Sequence, residues 1–225
     1  MADAGWAGFW PYDGAKFFLT LMALGSPPTN PKANSTLQAF YDTISKIPGV
    51  FLDLQVTKPY SGFQQWYEDN FINSTNGIGF NYTVGDFSGV PVAVSSRLLP
   101  RENFENNPEV LAKALANFTD ARPLSVLPSC SPLLSKSDSK FNIPSLVGGG
   151  AVSRVPVDAA SVNPAFRVML SDLTIALSWN VTTASFADIT AVQEIVTGWA
   201  DSLRVLTPTS GAYVNEVGFC LDPRL

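Results

Sequence analysis

The sequence contains no histidine, and that absence removes Ser–His and Cys–His nucleophilic machinery, histidine-ligated zinc and histidine pH switches. Cysteine is nearly as scarce. Cys130 and Cys220 stand too far apart for a metal knuckle, no bridge between them is expected, and no metal site is read from the sequence. Charged residues make up only 15% of the chain and sum to −5, so there is no basic footprint and nucleic acid is not an expected partner. Long apolar runs are missing too. The longest, Phe17 to Leu24, stops at Gly25-Ser26-Pro27-Pro28, well short of a bilayer span, and no membrane partner is expected. Phosphate loops are absent: no Gly-x-Gly-x-x-Gly follows a strand, and no Gly-Lys-Ser/Thr occurs. Gly148-Gly149-Gly150 leads into Ala151-Val152-Ser153-Arg154-Val155, which reads as a strand and not as the helix a phosphate cradle needs.

What is present is core material. With 225 residues, 46% hydrophobic and 12% aromatic, the chain has ample means to bury a core and is expected to form one domain over residues 1–225. Val50, Leu52, Leu54 and Val56 alternate with Phe51, Asp53, Gln55 and Thr57, the mark of a strand with one buried face. Ile78, Phe80, Tyr82 and Val84 alternate likewise, as do Val92, Val94, Ser96 and Leu98, with Gly85 to Gly89 as the hairpin loop between them. Phe17–Leu24 and Phe166–Trp179 suit central strands, though the second could be part helix.

Four helix starts can be read. Ser35 with Gln38 forms a capping box ahead of Leu37, Phe40, Tyr41, Ile44 and Ile47. Ser61 with Gln64 does the same ahead of Phe63, Trp66, Tyr67 and Phe71. Asn107-Pro108-Glu109 combines an N-cap, a proline at the first helical position and an acid matched to the helix dipole. Ser185 and Asp188 open the longest helix, where Ile189, Val192, Val196, Trp199, Leu203 and Leu206 recur before Pro208. Short hairpin links beside a few covering helices predict an α+β fold, a large antiparallel sheet covered on one face by helices. Ala121 to Ile143, rich in Ser, Pro and Lys and without either period, is expected to be the least well packed stretch.

Without histidine, acid–base work falls to Asp, Glu, Tyr or Lys. Glu68-Asp69 reads as a solvated helix end, Arg97 and Arg101 as ion-pair partners at a strand end, and Trp6, Phe9, Trp10 and Tyr12 as core. Spacing alone reaches a globular α+β domain and no further.

One string carries more. Thr207-Pro208-Thr209-Ser210-Gly211-Ala212-Tyr213-Val214-Asn215-Glu216 resembles the Gly-x-Tyr-x-Asn-Glu signature near the C-terminus of FAD-linked oxidoreductases of the berberine bridge enzyme-like group, within the vanillyl-alcohol oxidase superfamily. The stretches 63–71, 93–101, 149–153 and 161–167 are similar to the fungal members of that group, so the resemblance covers nearly the whole chain. It implies the C-terminal substrate-domain portion of such an oxidase, acting on an alcohol, sugar or secondary metabolite by hydride transfer to flavin. FAD is the implied cofactor, Tyr213 the implied catalytic base, and Asn215 and Glu216 the implied cofactor-facing residues. A phenol serves as base at neutral pH only beside positive charge or within the flavin's own field.

The departures shape the expectation. The group's N-terminal FAD domain has no counterpart here, and after Glu216 the chain reads Val217-Gly218-Phe219-Cys220 where the group continues with Ala-Asp. The expected partners are therefore a small-molecule substrate and a separate FAD-binding half, with the chain alone redox-inactive and only weakly bound to FAD. The alternative is a flavin-free descendant that binds a small molecule or performs a non-redox cyclisation. Five Asn-x-Thr triplets, at Asn34, Asn73, Asn81, Asn117 and Asn180, point to a secreted, glycosylated lineage. Met1-Ala2-Asp3-Ala4-Gly5 does not open a signal peptide, so a cytoplasmic location is expected if the chain is complete.

Overall fold

The computed structural model describes residues 1–12, 16–23, 31–72, 91–120 and 141–216. They fall into two compact units, one of Met1 with residues 23–89 and one of residues 2–22 with 90–225.

The larger unit is built on a five-stranded sheet. Its strands are β1 (Trp6–Phe9), β2 (Thr20–Ala23), β3 (Val92–Pro100), β4 (Phe141–Leu146) and β5 (Met169–Ser178), in the order β2-β1-β4-β5-β3. The pairings β1–β4, β4–β5 and β3–β5 are antiparallel, as the sequence predicts. Leu98 of β3 and Ser145 of β4 both register with Asp172 of β5, and Ser96 and Ile143 with Thr174. One face of the sheet is packed by helices. Leu99, Leu173 and Ile175 form a core with Leu111 and Ala114 of α4 (Pro108–Asp120) and Leu203 of α5 (Phe186–Leu206). Leu177 extends it with Val192 and Val196. Each such side chain taken from water contributes about 1.5–3 kcal/mol, so this face carries most of the unit's stability.

Local chemistry sets the helix ends. Ser185 Oγ accepts the Asp188 N–H (3.3 Å) while Asp188 Oδ2 accepts the Ser185 N–H (2.8 Å), the reciprocal box expected from the sequence. At the other end, Thr207 N–H and Oγ1–H both donate to the Leu203 carbonyl, and Pro208 follows. Pro108 opens α4 as expected. A short helix, α3 (Arg101–Glu105), continues β3, and Arg101 pairs with Asp3 (2.6 Å) and Glu105 (3.1 Å). Arg97 does something else: its Nε donates to Thr207 Oγ1 (2.8 Å) and its Nη2 to the Thr207 carbonyl, tying β3 to the end of α5. Trp6 is buried, and Trp10 stacks on Tyr12 and meets Phe104 edge-on, but Phe9 is exposed.

In the smaller unit, α1 (Pro31–Ile44) is followed by α2 (Phe63–Tyr67) and a π turn, Glu68–Ile72. Lys58 lies against the Tyr60 ring and pairs with Asp69 (2.6 Å), so the Glu68-Asp69 end is half-exposed and partly engaged.

Several local expectations are corrected. Residues 50–57 form no strand: Phe51 is 85% exposed and Leu54 81%, and the stretch pairs with no strand among the described residues. Alternation marks a strand only when a neighbour takes its backbone N–H and C=O groups. Ser35 is no N-cap, because Pro31 starts α1 four residues earlier. The Ser61 box is displaced by one residue, with Ser61 N–H and Oγ donating to Gln65 and not Gln64. Phe141–Ile143, expected to be loop, belong to β4. Val152–Arg154 form a 3-10 turn and not a strand. Phe166–Trp179 resolves as a 3-10 turn, Pro164–Arg167, followed by β5. The readings on 78–89, 121–140, Cys130 and Cys220 lie outside the described residues.

Candidate active site

Beyond α5 the chain turns back along the outer edge of β3. The Leu98 N–H donates to the Gly211 carbonyl (2.9 Å), and Ser210 Oγ donates to the Leu98 carbonyl (2.5 Å). Gly211 lies close against Asn163: a Cβ there would sit 2.1 Å from Asn163 Nδ2, so the Asn163 side chain would have to move. Asn163 in turn caps the Pro164–Arg167 turn, its Oδ1 accepting the Ala165 N–H (2.9 Å). The glycine of the Gly-x-Tyr string therefore has a packing reason.

Two residues on, the Tyr213 N–H donates to Ser96 Oγ (3.0 Å), and the Tyr213 ring meets Phe166 edge-on at 6.4 Å. A 3-10 turn, Val214–Glu216, then brings Asn215 Nδ2 to within 2.6 Å of the Tyr213 hydroxyl, which accepts its hydrogen bond. Glu216 Oε2 accepts from Thr174 Oγ1 on β5 (2.9 Å). Tyr213, Asn215 and Glu216 are thus brought together, but on a turn and not on a strand.

Strand alternation adds a residue that sequence reasoning missed. Asp172 sits on β5 on the same side as Thr174 and opposite Leu173. It is only 8% exposed, and its Oδ1 has no hydrogen-bond partner among the described residues. Burial first, and the Glu216 charge second, push its carboxyl up to about 7. A carboxyl in that range can hold a proton or release it at neutral pH, which is what a general acid or base must do. The signal was present: an acid at the centre of Met169-Leu170-Ser171-Asp172-Leu173-Thr174-Ile175.

The site suits one part of FAD better than another. The second sheet face offers one buried carboxyl, Asp172, beside the half-buried Thr174 and Glu216 and the exposed Tyr213 and Asn215, polar groups suited to a reacting ring and substrate. A diphosphate needs a cradle of open backbone N–H groups. At Gly148, Gly149 and Gly150 the space is already filled by Met169, Ala2 and Arg101. No group of three or more His, Cys, Asp or Glu side chains positioned for a metal ion occurs among the described residues. Nor is any helix among them long and apolar enough to cross a membrane.

No protein-family model matches the sequence, and no curated protein does. Solved structures do. A VAO-type flavoprotein from Myceliophthora thermophila C1 matches over 96% of this chain and 35% of its own, with 17% identity and a TM-score of 0.67. A second VAO-type flavoprotein from that organism matches over 96% and 34%, with 18% identity and a TM-score of 0.61. The organism's xylooligosaccharide oxidase, solved with xylobiose, matches over 97% and 40%, with 17% identity and a TM-score of 0.54. The chain therefore shares the fold of part of these flavoproteins, and it spans about a third of the length of the first two.

Proposed function

We propose that the chain is the substrate-domain portion of an FAD-linked oxidoreductase of the berberine bridge enzyme-like type, acting on an alcohol, sugar or secondary metabolite. The observation that carries this reading is the second sheet face, where Asp172, Thr174 and Glu216 meet Tyr213 and Asn215 within a fold common to flavoproteins. FAD, when bound, would accept hydride at its ring and pass the electrons to oxygen. The chain's own part is narrower. Asp172 takes or returns a proton at its carboxyl, Glu216 keeps negative charge beside it, and the 3-10 turn aligns the Tyr213 hydroxyl through Asn215. Phe166 and Tyr213 wall the site with aromatic surface.

The filled glycine turn favours a division of labour in which a separate FAD-binding half holds the diphosphate. The chain alone would then offer FAD one stacking face and a few hydrogen bonds. Against the cost of immobilising a ligand, that leaves an affinity on the order of millimolar. The same observation supports a second reading, a flavin-free binding or cyclising protein.

Intrinsic tryptophan fluorescence separates them. With FAD, no saturable quenching is expected at micromolar concentration, and its appearance would overturn the divided-flavin reading. With a panel of oligosaccharides and aromatic alcohols, saturable binding is expected, weakened by Tyr213→Phe and by Asp172→Asn without loss of thermal stability. Absence of binding across the panel would count against a substrate domain. Non-redox product formation by the colourless protein would establish the second reading.

A further inference from the structure

Three of the five Asn-x-Thr triplets fall on described residues, and the fold treats them differently. Asn34 lies within α1 and Asn117 within α4. Asn180-Val181-Thr182 occupies the turn between β5 and α5, where Val181 and Thr182 are exposed. There the Asn180 Oδ1 accepts both the Thr182 N–H (2.9 Å) and the Thr182 Oγ1–H (2.7 Å). The Asn180 carbonyl accepts the N–H groups of Thr183 (3.3 Å) and Ala184 (2.9 Å). This Asx turn holds the threonine hydroxyl on the carboxamide oxygen and leaves Nδ2 with no hydrogen bond among the described residues. Two donors on the oxygen draw electron density from the amide and ease loss of an Nδ2 proton. Nearby, Phe186 is 85% exposed and Val181 68%, apolar surface that an attached sugar would shield from water.

We propose that Asn180 is an acceptor for an N-linked glycan, in preference to Asn34 and Asn117. In the transfer, Asn180 Nδ2 bonds to the anomeric carbon of a lipid-diphosphate-linked oligosaccharide. The bond from that carbon to the diphosphate oxygen breaks, the lipid diphosphate leaves, and the displaced Nδ2 proton goes to a base of the transferase. Helical Asn34 and Asn117 sit in backbone committed to i→i−4 hydrogen bonds and cannot enter the same turn without unwinding α1 or α4. The inference is independent of the oxidoreductase reading.

The test is expression of the full chain behind a secretory leader in a eukaryotic host. Secreted and retained material are then treated with peptide N-glycosidase in ¹⁸O-water and mapped by mass spectrometry. ¹⁸O-labelled aspartate is expected at position 180 with occupancy several-fold above that at 34 or 117. Asn180→Gln should remove one glycan step on a gel, and Thr182→Val should do the same while Thr182→Ser retains it. An unoccupied Asn180, or Asn117 occupied as fully as Asn180, would overturn the proposal. Scoring the retained material keeps the result readable for a variant that is not secreted.

Discussion

Neighbouring residues of β5 live in different chemical worlds. Leu173, Ile175 and Leu177 point into the helices and are almost wholly buried among apolar side chains. Asp172 and Thr174 face the other side, where the returning 207–216 segment reaches Thr174 through Glu216 and Ser96 through the Tyr213 N–H. Both faces are covered, but by different means. The helix face is covered by hydrophobic burial, which is non-directional and strong. The second face is covered partly by a smaller apolar cluster of Leu98, Ala165, Met169 and Phe166, and partly by single hydrogen bonds to Ser96, Leu98 and Thr174, each worth about 0.5–1.5 kcal/mol net. One strand thus supplies stability on one side and chemistry on the other, because the pleat separates them.

That division can be broken experimentally, starting with its strongest element. Leu173→Ala leaves a cavity between α4 and α5 and should cost about 2–5 kcal/mol in chemical denaturation. A loss below that of a surface substitution would mean the helix face is not the stabilising one.

Asp172→Asn tests the other side through pH. The folded carboxyl titrates near 7 and an ordinary aspartate near 3.8, so between those values the folded chain holds a proton that the unfolded chain has released. Stability should therefore fall as pH rises through this window and level off above it. The variant should flatten that slope, an effect on the order of 2–4 kcal/mol at pH 8. Denaturation midpoints from pH 4 to pH 8 measure it, and an unchanged slope would remove Asp172 from the argument.

Ser185→Ala removes the cap of the helix that covers the apolar face and should cost about 1 kcal/mol, while Ser35→Ala, inside α1, should cost far less. Equal losses on thermal melting would erase the distinction between a cap and a helical serine. Smallest of all, Thr174→Val takes the donor from Glu216 and should change stability by less than about 1 kcal/mol. Its effect should show instead as a displaced Asp172 titration in carbonyl-labelled infrared spectra.

The apolar face was the legible one. The period of α5 with its Ser185–Asp188 box and the proline start of α4 follow from side-chain spacing and local hydrogen bonding. The alternation of β3 marked a strand, but Ser96 and Leu98 of the alternating set face the second side, and Leu99 faces the helices. Residues 50–57 misled because their alternation is a statement about a partner strand, which local sequence does not contain. β4 was hidden for the opposite reason: Phe141-Asn142-Ile143-Pro144-Ser145-Leu146 holds a proline and no clean period, and becomes a strand only between β1 and β5. The Tyr213–Asn215–Glu216 cluster was visible through its resemblance to a signature. Asp172 was not, since its altered acidity arises first from burial in the folded sheet and second from Glu216, which joins it only when the chain returns to the sheet.

The order β2-β1-β4-β5-β3 also sets a timetable. A ribosome releases β1 and β2 first, yet β1 pairs with β4, where Gly8 faces Leu146, and β3 waits for β5. Pairings so distant along the chain form slowly, because the loop must close before any contact rewards it. Until β4 emerges β1 lacks its antiparallel partner, and until β5 emerges β3 lacks its own; edges left open in this way recruit other chains. Folding yield should therefore depend on how quickly the second half of the chain follows the first, and on what shelters the early strands in the meantime.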